Sequence, residues 1–122
     1  MSSKNKNWLE SFGHAFDGIR KTAARERNFR FQIFMGIAAV IACIIFRVDT
    51  FHFVMVAFSI FFVLATELMN TAVEALTDLI CQGKTHPLAK IAKDAAAGAV
   101  LLSAAFAVVV GMVVAMSVLR RL

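Results

Sequence analysis

Long apolar blocks, separated by short polar segments, dominate the pattern of the chain. Three of them cover residues 31–48, 51–80 and 95–119, and each is long enough, as a helix, to cross about 30 Å of hydrocarbon. The link between the first two is so short that the two helices must run antiparallel. The pattern therefore predicts an all-α integral membrane protein with three transmembrane helices.

A different pattern precedes the first block. Residues 1–7 are polar and predict a disordered start. From Trp8 to about Arg27, apolar residues recur at spacings of three and four, which predicts a helix. Its apolar face carries Trp and Phe and its other face is polar and partly basic, as is typical of helices lying in a membrane interface. We expect residues 1–30 to form an amphipathic interfacial segment; the alternative is a helix packed on its own protein.

Small side chains recur every four residues along the third block. They are Ala95, Ala99, Ser103, Ala107, Gly111 and Ala115. This spacing lets helix backbones approach closely inside a membrane and predicts a packing face. The alternative is that Ala and Gly are simply common in membrane helices.

Composition and charge support one membrane domain over residues 1–122. Hydrophobic residues make up 60% of the chain and charged residues 17%, too apolar a balance for a small soluble domain. Basic residues concentrate before residue 31 and between the second and third blocks. The positive-inside rule places both regions in the cytoplasm, so we predict a multi-pass membrane protein with these two regions on the cytoplasmic side. Cys43 and Cys81 lack the spacing of a zinc site or disulfide framework.

The second half of block two carries a polar stripe. Glu67, Asn70, Glu74 and Asp78 fall within an arc of roughly 80° on a helix that turns about 100° per residue. Such groups are costly at the end of a membrane helix unless they face protein, water or a metal. Other groups predicted on the same side are Glu26, Lys93, Asp94, His14 and His86.

This set of side chains suits phosphoryl transfer to a lipid hydroxyl. Mg²⁺ uses one or two carboxylates together with substrate phosphates, and lysines can hold phosphate. A carboxylate at the bilayer boundary can accept the proton of an alcohol. Catalysis of this reaction is mostly positioning and charge stabilisation.

These polar residues also allow other interpretations. Gly83-Lys84-Thr85 resembles the end of a P-loop, but Asp78 stands where the first Gly belongs. Glu26 can instead pair with Arg30 four residues later. A non-enzymatic membrane subunit or ion-conducting oligomer is the alternative of another class, although conduction needs polar groups through the membrane middle.

Three motifs resemble the prokaryotic diacylglycerol kinase family. They are residues 67–78, with the pattern Glu-x-x-Asn-Thr-Ala-Val-Glu-x-x-x-Asp, residues 93–101 and residues 25–30. The resemblance implies a homotrimeric membrane kinase that uses ATP and Mg²⁺ at sites between neighbouring subunits. It makes Glu67 the catalytic base and Glu26 and Glu74 the metal ligands. It assigns ATP contacts to His14, Glu26, Glu74, His86, Lys93 and Asp94, with Asn70 and Asp78 as supporting residues.

The resemblance also suggests a substrate. Residues 86–101 are similar to the Gram-positive branch of the family, whose lipid alcohol is chiefly undecaprenol. Diacylglycerol is the alternative acceptor. The partners expected are therefore a membrane lipid and further copies of this chain, with no nucleic acid.

Overall fold

The structure, a computed structural model, describes residues 7–122 as four helices. They are α1 (Trp8–Arg25), α2 (Arg27–Ile45), α3 (Thr50–Cys81) and α4 (Pro87–Arg121). By length and composition, α2, α3 and α4 can each cross a membrane, which confirms the all-helical prediction with three apolar helices over these residues. The disordered start predicted for residues 1–7 lies outside them, apart from Asn7.

Two of the membrane helices begin earlier than the apolar pattern predicts. Helix α2 begins at Arg27 rather than at residue 31, because its charged first turn continues the helix beyond the apolar block. Helix α4 begins at Pro87 rather than at residue 95. Proline fits the first turn of a helix, where its missing N–H has no helical partner, and the His86 side chain accepts a hydrogen bond from the Leu88 N–H.

The junction of α1 and α2 positions Glu26. This residue has extended backbone between the two helices, with φ −104° and ψ 112°. Arg30, in the first turn of α2, donates from Nη1 to the carbonyl oxygens of Ala23 (2.8 Å) and Ala24 (3.1 Å) at the end of α1. Arg30 thus satisfies carbonyls that a helix end leaves unpaired. The pairing with Glu26 considered from the sequence is therefore not the contact that Arg30 makes here.

The turn between α2 and α3 is held from two directions. Asp49 caps α3, accepting from the His52 backbone N–H at 3.3 Å and facing the His52 Nδ1 at 2.6 Å. The hydrogen bond with the His52 side chain lowers the pKa of Asp49. From the far end of α4, Arg121 donates to the carbonyl oxygens of Phe46 (2.6 Å) and Arg47 (3.2 Å).

Helix α3 is the centre of the packing, with its most extensive contact against α4 and a smaller one against α2. The buried cluster is formed by Cys43, Val56, Val110 and Val114. Ser103 of α4 is fully buried, and its hydroxyl lies 2.8 Å from that of Thr66. These contacts tie α4 to α3 at the depth where the polar stripe begins.

The close approach of α2 to α3 depends on a glycine. A Cβ added to Gly36 would lie 2.9 Å from Cγ2 of Ile60, closer than carbon atoms pack. The absence of a side chain at Gly36 therefore sets the distance between these two helices, and with it the distance between residues one or two turns away.

The small-residue stripe of α4 is not the face that packs inside the chain. Its only buried member is Ser103, whereas Ala95, Ala99, Gly111 and Ala115 are exposed. The buried residues of α4 are Ser103, Val110 and Val114, at spacings of seven and four. The buried face of α4 therefore shares only Ser103 with the stripe, and most of the stripe faces outward.

Candidate functional site

Glu67 is the buried carboxylate of the polar stripe, with 6% of its surface exposed. Glu74 and Asp78 follow on α3 at about 10 Å and about 16 Å along the axis, from a rise of about 1.5 Å per residue. Both are exposed. The stripe therefore leads from a site shielded by protein to one open to solvent.

Gln32 of α2 provides the neutral polar group that faces Glu67. From the contact of Gly36 with Ile60, Gln32 lies one turn back along α2 and Glu67 lies two turns on along α3. The helices are antiparallel, so both residues are displaced toward the same end. Side chains on a helix lean toward its N-terminus, so Gln32 and Glu67 lean toward each other. No motif or periodicity predicted a role for Gln32, although it is the only polar residue between Phe31 and Phe46.

Two further carboxylates, Glu26 and Glu74, lie close enough to act electrostatically on Glu67. Glu26 comes from the α1–α2 junction and is half-buried. Glu74 accepts a hydrogen bond from Asn70 Nδ2 at 2.7 Å, which fixes its orientation. Within residues 7–122 none of the three forms an ion pair with a Lys or Arg side chain.

The donor set fits a Mg²⁺ ion shared with a phosphate rather than one enclosed by protein. No group of three or more His, Cys, Asp or Glu side chains among the described residues is close enough to hold a metal. Mg²⁺ is commonly bound by one or two carboxylates and completes its six ligands with water and substrate phosphates. Glu26 and Glu74 provide two unpaired carboxylates of that kind.

A pocket of about 660 Å³ opens between the end of α3 and the start of α4. We call it the loop pocket, and its charged lining consists of Asp78, Lys84, His86, Lys90, Lys93 and Asp94. Two ion pairs cross its wall, Lys93 Nζ to Asp78 Oδ1 at 2.7 Å and Lys90 Nζ to Asp94 Oδ2 at 2.6 Å. Three lysines around one opening suit a phosphate-bearing ligand.

Glu74 connects the loop pocket with the buried carboxylate, since it acts electrostatically on both Glu67 and Lys93. The structure thus brings together two neighbouring groups of predicted site residues. The first holds Glu26, Glu67, Asn70 and Glu74, and the second holds Asp78, His86, Lys93 and Asp94.

The two predicted histidines have different surroundings. His86 uses Nδ1 to cap α4, which leaves Nε2 as the ring atom that can meet a ligand in the loop pocket. His14 is exposed on α1 and does not line the loop pocket. Within one chain, His14 therefore does not contribute to the loop pocket.

Comparisons with known proteins agree with the resemblance of the motifs. The model of a family described as prokaryotic diacylglycerol kinase matches residues 13–115. A diacylglycerol kinase of Synechocystis sp. is 43% identical over 105 residues, which cover 86% of this chain and 60% of that protein's own length. An undecaprenol kinase of Bacillus subtilis is 39% identical over 107 residues, covering 88% of this chain and 86% of the relative. A diacylglycerol kinase of Escherichia coli is 32% identical over 102 residues, covering 83% of this chain and 82% of the relative.

Proposed function

This chain belongs to the prokaryotic diacylglycerol kinase family, a family of lipid kinases, and on that premise we propose that it phosphorylates a membrane lipid alcohol with ATP. The observation that carries the proposal is the buried Glu67 beside Glu26 and Glu74. Three acidic side chains without cationic partners are unfavourable unless a cation or a proton joins them. A kinase uses both, because it binds a metal-bound phosphate and removes a hydroxyl proton.

Glu67 is the proposed general base. The lipid oxygen attacks the γ-phosphorus of ATP, the bond from that phosphorus to the ADP oxygen breaks, and Glu67 accepts the hydroxyl proton. Burial suits this role, because a shielded carboxylate is poorly hydrated and readily takes up a proton. Glu26 and Glu74 would hold a Mg²⁺ ion, which would supply positive charge to neutralise the phosphates.

The loop pocket is the proposed site for the nucleotide phosphates. Asp78 holds the Lys93 ammonium in a defined position next to Glu74, so the lysine meets a phosphate with little loss of side-chain freedom. Asp94 and His86 Nε2 complete the polar lining. Asn70 supports the site by fixing the Glu74 carboxylate.

The proposed placement in the membrane follows from the outward-facing apolar surface. Trp8, Phe12 and Phe16 of α1 are exposed, as expected for a helix resting on lipid. In the proposed orientation, which the basic segments support, α1 and the loop pocket lie on the cytoplasmic side, where ATP is present. The exposed small-residue stripe and the isolated His14 support a homotrimer whose sites lie between subunits.

Undecaprenol is the proposed acceptor, with diacylglycerol as the alternative. Residues 86–101 support it, as does the Bacillus subtilis undecaprenol kinase, 86% of whose length this chain covers. The test measures transfer of labelled phosphate from ATP to each lipid in mixed micelles with Mg²⁺. We expect kcat/KM to be higher with undecaprenol; a higher value with diacylglycerol would reverse the assignment.

A matched control excludes contaminating kinases. Glu67→Gln protein, purified in the same way, must lose the activity. Phosphorylation of neither lipid by folded wild-type protein would contradict the proposed function itself.

A further inference from the structure

The amide of Gln32 has a buried atom without a partner. Its oxygen Oε1 is the buried side-chain polar atom that has no hydrogen-bond partner among the described residues. The same side chain faces the Glu67 carboxylate, which can accept only from the amide Nε2–H. A buried acceptor without a donor is costly, and such groups in a folded protein call for an explanation.

An amide has a property that suits a base which gains and loses a proton. It carries a donor and an acceptor on one planar group. A Lys or Arg in its place would stabilise only the carboxylate and oppose proton uptake. The hydroxyl of a Ser or Thr has the same two capabilities, but its side chain is shorter than that of Gln by two bonds.

We propose that Gln32 is a positioning residue for Glu67, donating to the carboxylate from Nε2 before proton transfer and accepting from the carboxylic acid at Oε1 afterwards. This inference rests on the proposed role of Glu67 as the base. In the transfer step the hydroxyl proton moves to a Glu67 oxygen, the new oxygen–phosphorus bond forms and ADP leaves. Rotation of the amide about its last torsion then presents Oε1 to the new O–H.

The packing of α2 on α3 allows the Gln32 amide to change from donor to acceptor by a side-chain rotation alone. Gly36 brings the two backbones together one turn away, so Gln32 reaches Glu67 without the helices moving. Gln32 also borders an apolar groove of about 810 Å³ between α2, α3 and α4. Glu67 itself is only 6% exposed, which limits the access of water to the carboxylate. The orphaned oxygen is thus the acceptor kept for the second half of the reaction.

The first measurement uses Gln32→Met, which keeps the length of the side chain and removes both hydrogen-bonding groups. We expect kcat to fall by about 10- to 100-fold, the value of one hydrogen bond to a charged group. The KM for ATP should stay within about twofold, because the loop pocket is untouched. The melting temperature in detergent is measured on the same preparation, so that a loss of folded protein is separated from a loss of kcat.

The matched control is Ser59→Ala. Ser59 is also buried on the same side of the molecule, but its hydroxyl bonds only to the Val56 carbonyl of its own helix, at 2.8 Å. This variant should keep the wild-type kcat. Gln32→Leu, which removes the amide with a different shape, must reproduce the behaviour of Gln32→Met.

A double-mutant cycle separates positioning from packing. If Gln32 acts through Glu67, adding Gln32→Met to Glu67→Gln should leave the residual rate unchanged. An equal fall in both backgrounds, or a wild-type kcat in Gln32→Met, would overturn the inference. Failure of the proposed function would appear differently, as an inactive wild-type protein.

Discussion

The substitution Glu67→Gln tests the proposed base directly, because it replaces one oxygen by nitrogen and keeps the shape of the side chain. Loss of a general base typically lowers a rate by about 10²- to 10⁴-fold. At about 1.36 kcal/mol per tenfold change, this corresponds to about 2.7–5.4 kcal/mol of transition-state stabilisation. We therefore expect kcat to fall within that range.

For the stability of the Glu67→Gln variant, the structure predicts no loss. Glu67 is 6% exposed, and Glu26 and Glu74 act on it as like charges. A neutral amide removes the repulsion and the cost of burying a charge, while Gln32 can still pair with it. The variant should melt at the wild-type temperature or above.

The assay combines three measurements on the same preparation. Initial rates of lipid phosphorylation give kcat, titration with a fluorescent ATP analogue gives nucleotide affinity, and thermal unfolding in detergent gives stability. We expect only kcat to change strongly. A parallel loss of nucleotide affinity, or a fall in melting temperature that accounts for the lost rate, would refute the assignment of Glu67 as the base.

Four further predictions concern the rest of the site and the packing. Glu74→Gln should weaken Mg²⁺-dependent nucleotide binding; an unchanged affinity across a Mg²⁺ titration would remove Glu74 from the ligand set. Lys93→Met should raise the KM for ATP about tenfold or more by removing a charge-assisted phosphate contact. Asp78→Asn should raise the KM for ATP by a smaller factor; an equal rise would mean that the Lys93–Asp78 ion pair, rather than the lysine charge, is needed for ATP binding. Gly36→Val should lower both melting temperature and kcat by forcing α2 away from α3, as measured by unfolding and initial rates. Gly111→Val meets open space within the chain, so any effect it has should appear in the size of the oligomer measured by cross-linking, and a fall in the stability of a dissociated chain would contradict this.

Much of the fold follows from local pattern. Apolar length predicts three of the helices, and the spacing of the polar stripe puts Glu67, Asn70, Glu74 and Asp78 on one side of a single helix, because helical geometry fixes the angle between residues on the same element. The helix ends are less predictable. At Arg27 and Pro87 the helix continues past the apolar block, since polar residues can extend a helix into water at no cost to its backbone hydrogen bonds.

What the sequence alone determined is the type of protein and the identity of the acidic residues, through periodicity and family motifs. The packing of the helices was needed to find that Gln32 faces Glu67 and that Lys93 is held by Asp78. It was also needed to find that Val110 and Val114, with Ser103 alone from the small-residue stripe, are the buried residues of α4. These relations join different helices, and the distance between helices depends on contacts such as Gly36 against Ile60. No pattern within one helix contains that distance, which is why the partner of the buried carboxylate became visible only in three dimensions.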